Sequence, residues 1–124
     1  MSYDVHVVRS ASWLDAATDP IGKGEVDALV EADQELGWSD DCVDMADETG
    51  AVTSYFMIAW RGASCFWWYK NQLVCSGPEE AQLIKLVHLA RSLRAKVIGD
   101  DGETYDVRKG LFGKEKLVTI APDA

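Results

Sequence analysis

Three apolar segments follow one another closely in the middle of the chain. They are Ala51–Trp60, Ser64–Tyr69 and Gln72–Cys75, and the connections between them are centred on Arg61-Gly62 and Lys70-Asn71. The segments are rich in aromatic and β-branched residues, and the first contains no charged residue, as is typical of an interior strand. Connections this short join antiparallel neighbours. The pattern therefore predicts three consecutive antiparallel strands. A chain of 124 residues is the usual length of one domain, so we expect the remaining segments to pack on these strands around a single core.

The segments on either side of this region predict a first strand and two helices. Tyr3–Arg9 is rich in valine and alternates in part, which indicates a strand. Glu25–Leu36 carries apolar residues along one side of a helix, with Gly37 as its stop. A second helix is predicted from Pro78, in the first helical position, to about Arg94.

The remaining segments are shorter or less regular. Trp38–Glu48 fits no clean period, so a short strand and an irregular loop both stay open. Three further strands are predicted, the first two joined by a turn at residues 100–103: Lys96–Ile98, Thr104–Val107 and Leu117–Ile120. The order of elements predicts the α+β class, an antiparallel sheet with two principal helices, in one domain over residues 1–124 with a basic C-terminal extension from about 108 to 124.

The overall charge excludes several classes of partner. The chain has 21 acidic and 12 basic residues, a formal net charge of −9. Nucleic acids and anionic lipids are bound by clustered lysine and arginine, so neither is an expected partner. No apolar run approaches the ~20 residues that span a bilayer, and the start of the chain, Met1–Asp4, lacks the basic and apolar regions of a secretory signal. We therefore expect a cytoplasmic protein.

The reactive side chains argue against catalysis. Cys42, Cys65 and Cys75 are odd in number and show no CxxC spacing, which favours buried, reduced thiols over a disulfide framework or a zinc site. His6 and His88 are the two histidines, and the sequence contains no phosphate-binding loop, nucleophile elbow or HExxH motif. We therefore expect no enzymatic activity, no catalytic residue, no metal and no cofactor.

The negative charge is concentrated in one continuous stretch. Residues 24–60 contain ten acids and no lysine or arginine, whereas the rest of the chain holds eleven acids and twelve bases. The ten acids are Glu25, Asp27, Glu31, Asp33, Glu35, Asp40, Asp41, Asp44, Asp47 and Glu48. Like charges held close together destabilise the compact state, so the stretch indicates either a solvated face that keeps the protein soluble or a surface that meets a basic partner. Such a partner surface would include a cleft built to hold nucleic-acid phosphates.

Two other interpretations concern parts of this region and its neighbours. The acids between Asp40 and Glu48 could gather around a hard cation, but their spacing is not that of an EF-hand loop. Trp67 and Trp68 are consecutive, so within a strand they point to opposite faces. Either both belong to the core, or one of them lies on the outer face and anchors a partner. A small-molecule or peptide binding module using the aromatic face around Trp67, Trp68 and Tyr69 is therefore an alternative function.

Several short motifs are shared with a known group of proteins. They are Tyr3-Asp4-Val5, Trp13, Phe66-Trp67-Trp68, Gly77-Pro78-Glu79-Glu80, Leu93-Arg94-Ala95-Lys96-Val97 and Gly99-Asp100-Asp101-Gly102-Glu103-Thr104-Tyr105. In these motifs the chain resembles the small immunity proteins of bacterial contact-dependent and type VI secretion toxin systems, in particular the inhibitors of DNase effectors of the GHH class. The resemblance spans most of residues 3–106, and the basic residues from Arg108 onward extend past the usual end of the family.

The resemblance implies a function and separate roles for two parts of the chain. Such a protein would stay in the cytoplasm of the toxin producer, bind the nuclease domain of its cognate effector and block the site where DNA enters, without a catalytic residue or a cofactor. The shared motifs would build the scaffold, and the acidic stretch would carry the specificity. The charge pattern and the resemblance together predict these partner-binding residues, with the tryptophan as an apolar anchor: Glu31, Asp33, Glu35, Trp38, Asp40, Asp41, Asp44, Asp47 and Glu48.

Overall fold

The computed structural model describes residues 3–122, which form eight strands, two α-helices and two short 3-10 helices. The strands are β1 Asp4–Val8, β2 Leu36–Ala46, β3 Val52–Trp60, β4 Ala63–Tyr69, β5 Gln72–Ser76, β6 Lys96–Gly99, β7 Thr104–Lys109 and β8 Glu115–Ile120. The α-helices are α1 Lys23–Ala32 and α2 Glu80–Ser92, and the 3-10 helices span Trp13–Thr18 and Leu111–Gly113. The terminal residues 1–2 and 123–124, which the predicted domain and its basic extension include, lie outside the described part of the chain.

All eight strands belong to one antiparallel sheet in the order β2-β3-β4-β5-β1-β6-β7-β8. The first strand of the chain is therefore an interior strand, and His6 on it faces Val74 of β5 on one side and Ile98 of β6 on the other. With two principal helices, this arrangement confirms the predicted α+β class.

The hairpins β3–β4 and β4–β5 use the two-residue connections that the sequence indicates. Arg61-Gly62 and Lys70-Asn71 all have positive φ angles, between 47° and 83°. A positive φ at both central residues gives a turn whose twist matches that of the strands it joins. The aromatic segments are thus fixed as sheet neighbours by local geometry, and Trp68 faces Leu73 across the second hairpin.

The two faces of the sheet are covered unequally. On one face, α1 and α2 pack against the strands and close the main core, with Val26 and Leu86 among the buried helical residues. On the other face, the 3-10 helix at 13–18 covers a small area, where Ala16 packs on Val8 and Ile98. Burial of this kind contributes about 25 cal/mol per Å² of apolar surface, so the larger covered face carries most of the hydrophobic stabilisation.

A buried polar cluster ties the central strands to the smaller layer. The two ring nitrogens of His6 lie 2.7 Å from Gln72 Oε1 and 2.8 Å from Asp100 Oδ1, and the ring stacks on Trp13 at a centroid distance of 4.4 Å. Gln72 also faces the Trp13 carbonyl through its side-chain nitrogen. His6 is therefore a structural residue that joins β1, β5, the turn after β6 and the 3-10 helix.

The first helix is shorter than predicted and lies earlier in the chain. It spans Lys23–Ala32, whereas the sequence indicates Glu25–Leu36 with Gly37 as its stop. Asp33 already has an extended backbone, and Leu36 begins β2 by pairing with Trp60. The prediction was wrong because the apolar spacing of Leu36, which fits a helix, serves the core from a strand instead.

The ambiguous segment Trp38–Glu48 and the start of the second helix also need correction. Residues 38–46 are part of an 11-residue strand, neither short nor a loop, and a bulge between Trp38 and Cys42 accounts for the broken period. The second helix begins at Glu80, so Pro78 precedes its N-cap rather than occupying its first turn. Glu79 is the N-cap, and its backbone N–H donates to Gln82 Oε1 at 2.8 Å.

The structure also corrects the environment expected for β3. This strand has neighbours on both sides, as predicted for Ala51–Trp60, yet Ile58 is its single fully buried residue. Val52 and Phe56 are exposed because the β2–β3 hairpin extends beyond the helical layer. Within residues 3–122, neither α-helix has the length and apolar character needed to cross a membrane.

Two glycine-to-alanine substitutions test the packing. A Cβ on Gly99 would collide with the carboxylate of Glu103, which accepts hydrogen bonds from the hydroxyls of Tyr3 and Tyr105. We expect Gly99→Ala to lower the free energy of unfolding by about 1–3 kcal/mol, the usual cost of overpacking. The control is Gly24→Ala in α1, where a Cβ meets no atom within 4 Å and should stabilise the fold by about 0.5 kcal/mol. Urea denaturation measures both changes, and equal effects at the two positions would contradict the expected packing.

Candidate functional site

Five of the predicted site residues lie together at one edge of the sheet, and we call them the acidic edge. They belong to β2 and the turn that follows it, and all are exposed: Asp40, Asp41, Asp44, Asp47 and Glu48. Among the described residues, β2 has a strand neighbour on one side only. None of these five carboxylates forms an ion pair with a lysine, arginine or histidine within residues 3–122.

Hydroxyl and backbone groups hold three of these carboxylates in place. At the bulge, the Ser64 hydroxyl donates to Asp41, and the backbone N–H of Asp41 donates to Ser39. Ser54 donates to Asp44 from the facing position of β3. Such contacts fix the orientation of the side chains without neutralising them, so the negative charge stays available to an approaching cation.

Asp47 is fixed by the turn between β2 and β3. Its Oδ1 accepts hydrogen bonds from the hydroxyl and the backbone N–H of Thr49, at 2.6 and 2.8 Å, and from the N–H of Ala51 at 3.1 Å. These bonds, foremost that from the Thr49 hydroxyl, lower the pKa of Asp47 below its ordinary value. Asp47 is therefore negatively charged at neutral pH and has a structural role in the turn.

The other predicted acids separate from the acidic edge. Asp33 and Glu35 bind the ammonium group of Lys85 on α2, each at 2.8 Å, and Glu35 also binds Arg61 at 2.9 Å. Glu31 is exposed on α1 and makes no ion pair among the described residues. The structure thus groups five of the eight predicted carboxylates, leaves one apart, and uses two in internal ion pairs.

The ion pairs of Lys85 join α2 to the loop between α1 and β2. The Lys85 side chain is only 12% exposed, and its hydrogen bonds to Asp33 and Glu35 raise its pKa although burial acts in the opposite direction. Bonds from Lys85 and then Arg61 lower the pKa of Glu35 from 4.5 to about 2. Asp33 has a lowered pKa for the same main reason, its hydrogen bond with Lys85. This cluster is a structural joint rather than a free anionic surface.

An aromatic groove lies beside the acidic edge, where the β2–β3 hairpin extends beyond α1. It has a volume of about 560 Å³, and we define it by the residues that line it: Lys23, Asp27, Trp38, Ser39, Asp40, Ser54, Tyr55, Phe56 and Trp68. Trp38, the predicted anchor, is 45% exposed, and Phe56 is 58% exposed. The Lys23 ammonium group stands over the Trp38 ring, 4.4 Å from its centroid, and pairs with Asp27 one helical turn away.

Sequence reasoning missed Phe56, Lys23 and Asp27 as parts of this groove. Phe56 was included in a strand expected to be interior, so its exposure was not anticipated. Lys23 and Asp27 have the i,i+4 spacing of a helical ion pair, which was the available signal, but the predicted helix began too late to include Lys23. Their proximity to Trp38 depends on how α1 packs on the sheet.

The two consecutive tryptophans are divided between the faces of the sheet, and both are half-buried. Trp68 packs against the main core, donates from Nε1 to the Ile21 carbonyl at 2.8 Å, and borders the groove. Trp67 faces Val74 on the next strand, and its buried Nε1 has no hydrogen-bond partner among the described residues. The proposed aromatic face around both residues is therefore not one continuous surface.

The cysteines and the basic residues complete the description of the surface. Cys65 and Cys75 are buried free thiols as predicted, whereas Cys42 is exposed because it follows the bulge on the edge strand. Within residues 3–122, no three histidine, cysteine or acidic side chains converge in a way that could hold a metal ion. Arg108, Lys109, Lys114 and Lys116, four basic residues of the predicted extension, lie at the opposite end of the sheet, on and between β7 and β8.

From the ion pairs of Lys85 with Asp33 and Glu35 we expect the stability of the fold to depend on pH. The folded pKa of Glu35 lies below the ordinary value, so its contribution is complete above about pH 4.5 and is lost as the pH falls towards 2. Lys85→Met removes the cause, so we expect a lower urea midpoint than wild type at pH 7 and a difference that narrows from pH 5 to pH 3. The control Lys96→Met also replaces a lysine by methionine, but at an exposed position, and should change the midpoint little. A constant difference between Lys85→Met and wild type would contradict the assignment.

No protein-family model matches the chain, and no curated protein or solved structure shows significant similarity to it. The basis for a functional proposal is therefore the arrangement of its own side chains, above all the acidic edge and the aromatic groove.

Proposed function

We propose that the protein is an immunity protein, an antitoxin that binds a cognate secreted nuclease in the producer's cytoplasm and inhibits it. The acidic edge carries this proposal. Five exposed carboxylates lie on one uncovered edge strand and its turn, and none is neutralised by a base within residues 3–122. A basic cleft that binds DNA is complementary to such a surface in charge.

The acidic edge is long enough to occupy the DNA-binding cleft of a nuclease. At about 3.3 Å per residue, the chain from Asp40 to Asp47 extends over roughly 20 Å. Duplex DNA rises about 3.4 Å per base pair, so the edge is comparable in length to roughly six base pairs. The lysines and arginines with which the nuclease holds DNA phosphates along that distance would instead pair with the carboxylates of the acidic edge. Inhibition would follow from occlusion, which needs no catalytic residue and no cofactor in this chain.

The position of the charge on an edge strand supports a basic protein as the partner. An uncovered edge can pair with another strand, and acidic side chains there discourage pairing with a second copy of the same chain. The same charges attract a basic surface and raise the rate of association by about 10–10³-fold at low salt. Repulsion between the carboxylates, a cost in the free protein, would be relieved in the complex.

The internal ion pairs reduce the number of acidic residues that we assign to the interface. Asp33 and Glu35 already bind Lys85, so we assign them to the support of β2 rather than to contact with the nuclease. Glu31 and the acidic edge remain as the anionic contacts, and Trp38 remains as the apolar anchor because nearly half of its side chain is exposed. Exposed tryptophan at the centre of a contact is a frequent source of binding energy.

A second candidate function is a small-molecule or peptide binding module. The aromatic groove supports it, because its volume of about 560 Å³ falls within the usual range of ligand pockets, roughly 300–1,000 Å³. In this candidate the binding site keeps Trp68 of the predicted aromatic face, loses Trp67, and gains Trp38 and Phe56. A neutral ligand in the groove would bind with little dependence on salt, whereas the nuclease complex would weaken steeply as salt is added.

The proposed function predicts that a neighbouring reading frame encodes the cognate nuclease, and the decisive experiment uses the nuclease domain of that product. We expect the purified chain to abolish its DNase activity at equimolar concentration. The triple variant Asp40→Lys, Asp41→Lys, Asp44→Lys should slow association at least ~10-fold at low salt and flatten its dependence on ionic strength. Stopped-flow fluorescence measures the rate constant at several salt concentrations.

A matched triple variant controls for the change in net charge. Asp15→Lys, Asp19→Lys and Asp101→Lys reverse three exposed carboxylates outside the acidic edge. We expect this control to retain most of the association rate and all of the inhibition. Equal rates for the two triple variants would remove the acidic edge from the interface, and an unaffected DNase in the presence of the wild-type chain would refute the proposed function.

A further inference from the structure

We propose that the aromatic groove is a binding site for one cationic side chain, an arginine supplied by the partner, and that Lys23 occupies this site in the free protein. The inference rests on the proposed function in so far as the partner is a basic protein. It assigns to the groove a ligand class, a guanidinium group, and it assigns to Lys23 the role of an internal competitor for that ligand.

The first observation is the position of the Lys23 ammonium group. It lies 4.4 Å from the centroid of the Trp38 ring and forms an ion pair with Asp27. An ammonium group over an aromatic face is attracted by the negative potential of that face. The chain therefore already holds a cation between an aromatic ring and a carboxylate inside the groove, which is the chemistry that an external cation would require.

The second observation is the composition of the rest of the groove. Besides Trp38, it presents the rings of Phe56, Tyr55 and Trp68, and Trp38 and Phe56 are both exposed. Asp40 lines the groove and makes no ion pair among the described residues, so the carboxylates of Asp27 and Asp40 exceed the single charge of Lys23. A second positive charge is thus electrostatically favourable where a neutral apolar ligand would leave the excess uncompensated.

Arginine fits this site better than lysine. A guanidinium group is planar, stacks on aromatic rings, and can bind a carboxylate through two parallel N–H donors. The groove offers ring faces together with carboxylates from both of its sides, Asp27 on α1 and Asp40 on β2. It also adjoins the acidic edge, so a basic segment bound along that edge can deliver a side chain into the groove.

Lys23 can leave the site without disturbing the core. Its side chain is 47% exposed and that of Asp27 is 52% exposed, so the ion pair between them is a surface pair. Surface pairs contribute little to stability. Removal of the Lys23 charge should therefore open the groove, free Asp27 and strengthen the binding of an external cation, whereas removal of the Trp38 ring should weaken it.

The test uses a hexa-arginine peptide as the probe and NMR spectra of the tryptophan indole N–H groups as the readout. In the wild-type chain, we expect the Trp38 indole resonance to shift on titration while that of Trp13, on the other face, stays in place. Lys23→Gln should bind the peptide at least 3-fold more tightly than wild type. Trp38→Leu, followed by the indole N–H resonance of Trp68, which also lines the groove, should bind at least 3-fold more weakly. The opposite directions distinguish a groove site from attraction to the acidic edge alone.

Lys114→Gln is the matched control for Lys23→Gln. Lys114 is an exposed lysine next to β8, at the far end of the sheet, and its loss changes the net charge by the same amount. We expect a change in affinity below 1.5-fold. Equal affinities for Lys23→Gln and Lys114→Gln, or an unchanged affinity for Trp38→Leu, would overturn the groove inference, and inhibition of the nuclease could still hold. Groove binding with no inhibition of the nuclease would overturn the proposed function and leave this inference intact.

Discussion

Two short helices cannot cover a sheet of eight strands. Strands lie about 4.8 Å apart, so the sheet is close to 40 Å wide, whereas each helix covers roughly 10 Å. Here α2 packs over the strands around β1, β6 and β7, and α1 packs near the start of β2. The far part of the β2–β3 hairpin is left uncovered on this face, and both the acidic edge and the aromatic groove lie there. The limited helical cover is thus the constraint that produces the candidate site.

The internal ion pairs decide which acids remain on that surface. Arg9, Lys23, Arg61 and Lys85 lie outside the acidic stretch, and they neutralise acids that precede β2. Lys85 is nearly buried, so its pairing with Asp33 and Glu35 holds the loop before β2 against α2. The acids that follow have hydroxyl or backbone partners, or none among the described residues, and so retain their charge. One stretch of sequence therefore divides into a supporting part and an exposed part.

Much of the fold could be predicted because its signals are local. The hairpins follow from the two-residue connections Arg61-Gly62 and Lys70-Asn71 between apolar segments, and the class follows from the order of the elements. Errors arose where a residue serves a distant partner. Leu36 fits a helical period but pairs with Trp60 in the sheet, and the bulge after Trp38 hides the alternation of β2. Periodicity within a window cannot register a contact made by residues more than 20 positions away.

The sequence by itself determined the class of the fold, the tight hairpins and the concentration of negative charge in one segment, because these depend on residue type and on neighbours along the chain. The tertiary structure alone decided which carboxylates are neutralised, since Lys85 reaches Asp33 and Glu35 only when α2 packs against the loop between α1 and β2. It also decided that Trp38, Phe56 and Trp68 share a groove with Lys23. The physical reason is that charge pairing and ring contact act over a few ångströms of space, whereas the residues concerned are up to 52 positions apart in the chain.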